Sequence, residues 1–142
     1  MNIPGLRSPH EKLGGICYVG RMLDKIRLHA AGKLPADYIG NLGGGFDERT
    51  VNFLWIDYPA LVERVKEGGN DEEILEWCQQ RGRSPRVEEI EVWNEFMRKR
   101  GWNDEASPRL AQRKQEGGFG TRDDIQTFFD YIDLDEGRDP AK

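Results

Sequence analysis

Apolar positions recur at intervals of three and four through most of the chain and almost nowhere alternate, a pattern that predicts helices rather than strands. From Ile16 to Gly32, at about 100° per residue, a helical projection gathers Ile16, Val19, Met22, Leu23, Ile26 and Ala30 on one broad arc. Tyr18, Arg21, Lys25 and His29 fall on the opposite side. Further along, Leu61, Val62 and Val65 share a face between Asp57 and Gly68, and Ile74, Leu75, Trp77 and Cys78 carry a stripe from Asn70 to Gly82. Ile90, Trp93, Phe96 and Met97 follow Pro85 and stop before Gly101, and Ile125, Phe128, Phe129 and Ile132 repeat after Thr121. The run from Thr50 to Ile56 fits a buried strand or a helix turn; we assign it to a helix, because Asp47 can cap it and no second strand offers a partner. The expected fold is all-α, a compact bundle of about six or seven short helices. It occupies residues 1–136 as one domain, with 137–142 a fraying tail that has no apolar period.

Helix boundaries are marked by small polar residues. Ser8-Pro9, Ser84-Pro85 and Ser107-Pro108 each set a capping hydroxyl before a proline suited to the first helical turn. Ser8 with Glu11 and Asn70 with Glu73 fit capping boxes, and Thr121 with Asp124 repeats that signal for the last helix. Gly14-Gly15 costs about 1 kcal/mol per glycine relative to alanine in a helix, so the first helix is expected to kink there or to start near Ile16. The longest connection, Gly32 to Phe46, is rich in glycine and of a length that in small domains is often functional.

A chain of 142 residues suits a single core. It is 33% charged, but four Trp, four Tyr and six Phe supply enough bulk to fold. The net charge of −5 disfavours broad attraction to nucleic acid or to anionic membranes and leaves room only for a local basic patch. Cys17 and Cys78 sit far apart in apolar surroundings, which argues against a disulfide framework and for a reducing compartment. With neither a leader-like apolar run at the N-terminus nor a span of membrane-crossing length, the expected location is cytoplasmic.

Familiar chemical signatures are sparse. His10, His29, Cys17 and Cys78 have no metal-ligand spacing, and Asp133, Asp135 and Gly137 miss the register of a calcium loop, so no metal is expected. Gly43-Gly44-Gly45 before a helix start can bring backbone amides to an anion, but it lacks the ending of a phosphate loop and the strand of a dinucleotide fold. No cofactor is expected.

The densest cluster of charge lies in the first helix. Arg27 projects beside Ile16, Leu23 and Gly20 on the apolar side, which predicts a buried guanidinium paired with Asp24 as a structural ion pair. Arg21 is a second partner within reach of Asp24, and Gly20 leaves a gap beside Arg27 and Asp24. Where Arg21, Asp24, Lys25 and His29 meet the glycine-rich loop from Gly44 through Asp47 and Arg49, they form a candidate binding site, although Asp24 and His29 are too far apart around the helix to touch each other. Cationic side chains and loop amides there can hold a phosphate or carboxylate, and His29 can exchange a proton near neutral pH.

Four segments carry a family resemblance: Leu6-Arg-Ser-Pro-His-Glu-Lys-Leu-Gly-Gly15, Gly20-Arg-Met-Leu-Asp-Lys-Ile-Arg-Leu-His-Ala-Ala-Gly-Lys-Leu-Pro35, Asn41-Leu-Gly-Gly-Gly-Phe-Asp47 and Asp123-Asp-Ile-Gln-Thr-Phe-Phe129. Together they resemble the bacterial family called domain of unknown function 5069, across nearly the whole chain. The resemblance implies a bacterial, single-domain protein and brings no activity, substrate or cofactor with it. Two functions of different classes are therefore expected: a helical binding or adaptor module for a protein partner, or a small-molecule site, enzymatic or not, that takes an anionic metabolite between the first helix and the glycine-rich loop.

Overall fold

Of the two expectations for the first helix, a kink at Gly14-Gly15 after a start at Pro9 or a start near Ile16, the second is nearer: the chain makes a turn and then a small hairpin, and the helix begins at Val19. The computed structural model describes residues 1–141. Strand β1 (Lys12–Leu13) pairs antiparallel with β2 (Ile16–Cys17). Gly14 and Gly15 connect them at φ 59° and 82°, the left-handed pair that a tight hairpin demands and that side chains resist. The two glycines are thus a strand reversal rather than a helix kink. The Ser8 N–H does meet Glu11 Oε2, at 3.4 Å, but the Ser8 hydroxyl donates to Asp133, 3.0 Å away, and no helix follows.

Helix α1 (Val19–Ala30) is buried around its whole circumference from Val19 to Ile26. Its apolar arc packs on the hairpin and on α4 (Tyr58–Lys66). The polar side is covered as well, which the projection did not show: Arg21 and Lys25 are 4% and 6% exposed, while Arg27, expected to be buried, is half-buried and His29 exposed. One helical wheel records only which residues share a face, whereas burial depends on what the rest of the chain lays over it.

Eight helices occur among the described residues. The count passes the expected six or seven because α2 (Ala36–Ile39) forms inside the long glycine-rich connection. The ambiguous run joins α3 (Phe46–Leu54), a helix as expected, although Gly45 rather than Asp47 stands at its start. Asp57 caps α4 by accepting from Ala60 N–H at 3.0 Å, and Asn70 with Glu73 closes a reciprocal box at the head of α5 (Asp71–Arg81). Two other expected starts move. Helix α6 (Val87–Lys99) begins after Arg86, and Ser107 lies inside α7 (Ser107–Glu116), its hydroxyl accepting from Asp104 N–H at 3.0 Å.

The last helix, α8 (Phe128–Asp135), starts at Thr127, whose hydroxyl accepts from Asp130 N–H at 3.1 Å. Thr121 and Asp124 do not open it, because Arg122 holds Asp124 and Asp139 at 2.9 Å each and keeps this stretch irregular. Ile125 is buried there all the same, and Phe129 fills the centre of the core. The expected fraying does not begin at Gly137: Arg138 bonds Asp133, Glu136 and the Leu6 carbonyl. Lys142, the end of that expected tail, lies outside the described residues. The two thiols are free and fully buried, and burial pushes both up to about 11.

Candidate functional site

Beside α1 the fold leaves a cavity of about 440 Å³, within the range that small-molecule sites occupy. Its lining draws on α1, the α2 segment, the start of α3, the end of α6, α7, and α8 with the residue after it. Six cationic side chains line it, Arg21, Lys25, Arg49, Arg100, Arg109 and Arg113, against the three carboxylates Asp37, Asp135 and Glu136. In a chain of net charge −5 that is a local reversal of sign.

The inner wall holds the buried charges. Arg21 makes a bidentate pair with Glu136, Nη1 to Oε1 at 2.8 Å and Nη2 to Oε2 at 2.7 Å. Glu136 also accepts from the Tyr38 hydroxyl at 2.7 Å and from Arg138 at 2.8 Å. Burial alone would raise the Glu136 carboxyl, but the bonds from Arg21, Tyr38 and Arg138 outweigh it and hold the group below the usual carboxylate range. Arg21 Nε is a buried donor with no acceptor among the described residues.

Next to this pair, Lys25 Nζ lies 2.9 Å from Asp47 Oδ1 and donates to the Tyr18 hydroxyl at 3.2 Å. The Tyr18 hydroxyl in turn donates to Asp47 Oδ1 at 2.9 Å. Asp47 is wholly buried and completes its bonding by accepting from Gly43 N–H at 3.0 Å, so it serves the cavity wall rather than the helix cap. Burial lowers the Lys25 ammonium despite the opposing pull of Asp47, and it raises the Tyr18 phenol, with Asp47 adding to that rise. Tyr18 sits immediately before α1 with φ 76°, a left-handed conformation that costs a non-glycine residue about 1–3 kcal/mol.

The mouth carries three exposed arginines, Arg49, Arg109 and Arg113, and the half-buried Arg100. Arg49 and Arg100 both lie over the Phe96 ring, at 5.2 and 5.6 Å from its centre. Arg109 and Arg113, four residues apart on α7, extend the row. Among the described residues Arg49, Arg109 and Arg113 have no carboxylate at ion-pair distance, and Arg100 has only Asp104, at 3.5 Å. Phe46, Phe128, Tyr131 and Ile132 supply the apolar walls. Gly44 and Gly45 line the cavity where α3 starts with no side-chain cap, which adds the partial positive charge of a helix N-terminus.

The candidate set is therefore split. Arg21, Lys25, Gly44 and Arg49 line one cavity, and Asp47 stands directly behind Lys25. Asp24 and His29 do not line it. Asp24 also does not pair with Arg27: it accepts from Arg7 through Nε at 2.9 Å, Nη2 at 3.0 Å and the backbone N–H at 2.9 Å. Arg27 instead reaches Asp71 at 2.7 Å, and Arg7 joins the two pairs by a 2.9 Å bond to Asp71. The space beside Gly20 is filled by the same Arg7, whose Cζ would lie 2.8 Å from a β-carbon there. The partners of Asp24 and Arg27 are thus Arg7 and Asp71, distant in sequence, rather than neighbours on the same helix.

Arg100, Arg109, Arg113, Tyr38 and Glu136 were not anticipated. Arg98-Lys99-Arg100 is equally well explained as a complement to the helix dipole, and nothing in the sequence around Glu136 marks it as buried. The one available signal was the four-residue spacing of Arg109 and Arg113 after a helix start. Among the described residues no cluster of three or more His, Cys, Asp or Glu is arranged to hold a metal, and no helix is long and apolar enough to cross a membrane.

No curated protein matches the chain. A family model does match, over residues 3–138, and by that near-complete match the protein belongs to the family described as Domain of unknown function (DUF5069).

Proposed function

We propose that the protein binds an anionic small molecule in the cavity between α1, the glycine-rich connection and α7. One observation supports this reading: four arginines from three separate elements converge at one mouth, and among the described residues three of them have no carboxylate at ion-pair distance. Like charges gathered in excess of their counter-charges repel one another, and a phosphate or carboxylate relieves that repulsion through charge-assisted hydrogen bonds. Holding Arg49 and Arg100 on one aromatic ring limits their freedom, so less entropy is lost on binding.

The test is thermal denaturation with inorganic phosphate, sulfate and small dicarboxylates. Binding to the folded state raises the melting temperature with concentration, and Arg109→Gln with Arg113→Gln should remove most of the rise. A flat response to all these anions eliminates the reading.

A second reading, docking of a partner protein, is favoured by a separate feature. Val92, Phe96 and Trp102 are exposed on and after α6, 63%, 39% and 51% accessible, with four carboxylates, Glu88, Glu91, Glu95 and Asp104, around them against the two cations Lys99 and Arg100. Such a patch suits a basic segment with apolar anchors. Val92→Glu with Trp102→Glu should then abolish retention of a discrete partner while leaving the anion response unchanged. Unaltered retention excludes this face.

A further inference from the structure

Beyond the arginines of the mouth, the inner wall of the cavity sets a buried amine beside a phenol and a carboxylate. From the placement of Lys25 among Tyr18 and Asp47 we infer that the cavity receives an anionic carbonyl compound, a 2-oxo acid or an acidic aldehyde, and that Lys25 condenses with its carbonyl carbon to form an imine. The inference rests on the anion-binding reading, since the arginine mouth is what selects the acidic end of such a compound.

Three independent features support it. Lys25 lines the cavity but is only 6% exposed, so its amine is shielded from bulk water and still borders the space a ligand fills. Its Nζ has two groups suited to proton handling, Asp47 at 2.9 Å and the Tyr18 hydroxyl at 3.2 Å, themselves joined at 2.9 Å. Tyr18 is held there by a left-handed backbone at φ 76°, strain of a kind that collects at functional positions. A buried ion pair is a poor way to gain stability compared with an apolar pair of the same volume, whereas burial beside a cavity is how lysines become nucleophiles. The groups facing Lys25 are Asp47, Tyr18, Arg21 and Glu136, and burial with Arg21 lowers the ammonium while the two carboxylates oppose.

The step balances without a further reactant. Asp47 takes one proton from the Lys25 ammonium, and the freed nitrogen lone pair forms a bond to the carbonyl carbon while the C=O π pair moves to oxygen. A proton passes from nitrogen to that oxygen through the Tyr18 hydroxyl. The protonated Asp47 then returns its proton to the hydroxyl, which leaves as water as the nitrogen lone pair closes the C=N bond. Lysine ammonium and carbonyl compound become a protonated imine and one water, with Asp47 again a carboxylate.

The experiment treats the full chain with glyoxylate and cyanoborohydride at pH 7 and maps the modified lysines by mass spectrometry, with a phosphate melting titration in parallel. Imine formation at Lys25 predicts one carboxymethyl group on Lys25, acquired at least tenfold faster than on the exposed Lys12, Lys33, Lys66 and Lys99, and slowed by phosphate. Lys25→Arg, which keeps the charge beside Asp47, should lose the fast adduct; the wild-type map is decisive even if that variant does not fold. A phosphate-stabilised protein with Lys25 unmodified, or modified no faster than the exposed lysines, overturns the imine and leaves the anion site standing. A fast Lys25 adduct without any phosphate effect supports the amine chemistry and overturns the arginine mouth as its anion anchor.

Discussion

At the level of single residues, the chain's charged groups are organised by contacts distant in sequence. Asp24 is 10% exposed in its side chain and takes three hydrogen bonds from Arg7, so Asp24→Ala should cost about 2–3 kcal/mol by leaving the Arg7 guanidinium and N–H short of an acceptor. Arg27, a third exposed in its side chain, should cost no more than about 1 kcal/mol on truncation. A double-mutant cycle by urea denaturation separates the two arrangements: coupling of about 1 kcal/mol or more is expected between Asp24 and Arg7, and none beyond roughly 0.5 kcal/mol between Asp24 and Arg27. Glu136 gives a second expectation, because its folded carboxyl lies below the ordinary value. A depressed carboxyl contributes stability that is fully present above the unfolded value of about 4.3 and lost as pH falls through the folded one. The urea midpoint should therefore fall in acid below about pH 4. Glu136→Gln should already be destabilised at pH 7, where Arg21 is left buried without its counter-charge, and should lose less on further acidification.

Among the elements, what the sequence made legible was mostly helical periodicity backed by a local cap. Asn70 with Glu73 and Asp57 with Ala60 are contacts within one turn, so sequence spacing contains the whole interaction. Thr121 and Asp124 carry the same spacing and do not start a helix, because Arg122 spends its guanidinium on Asp124 and the distant Asp139. Glycines divide in the same way. Gly14-Gly15 was visible as a break, but whether it kinks a helix or turns a hairpin depends on Asn94 of α6, whose side chain accepts from Cys17 N–H and donates to the Gly15 carbonyl. Gly82 ends α5 as expected, yet its need to be glycine comes from α3: a β-carbon there would overlap the Leu54 carbonyl oxygen and lie 2.9 Å from that of Trp55. Backbone cannot retreat as a side-chain tip can, so Gly82→Ala should destabilise by about 3 kcal/mol or more. Gly15→Ala meets no atom within 4 Å and bears only the strain of its φ, 82°, about 1–2 kcal/mol. Thermal melting of the two variants checks the order, and equal losses would refute the close approach of α5 to α3.

For the whole molecule, the candidate site was half legible, and the division has a physical cause. Lys25, Arg21 and the loop through Arg49 were suggested because a basic helical face and a glycine-rich connection are neighbours in sequence. Arg109, Arg113 and Arg100 were not, since their partnership with Arg49 exists only once α6 and α7 return to α1. Folding thus assembles positive charge from segments that separately look like solvated surface. Such an assembly carries a cost in the empty protein and is compensated when an anion arrives, so its removal should act in opposite directions under two conditions. Among the described residues neither Arg109 nor Arg113 has a carboxylate at ion-pair distance, and the Tyr131 hydroxyl bonds the backbone carbonyl of Arg113 rather than its side chain. Arg109→Gln with Arg113→Gln should therefore melt at the same temperature as the wild type, or higher, at low ionic strength without anion, where mutual repulsion is least screened. In saturating phosphate the order should invert, with the wild type the more stable. If the double variant melts lower in both conditions, the two arginines are structural, and the mouth of the cavity has to be assigned to packing rather than to binding.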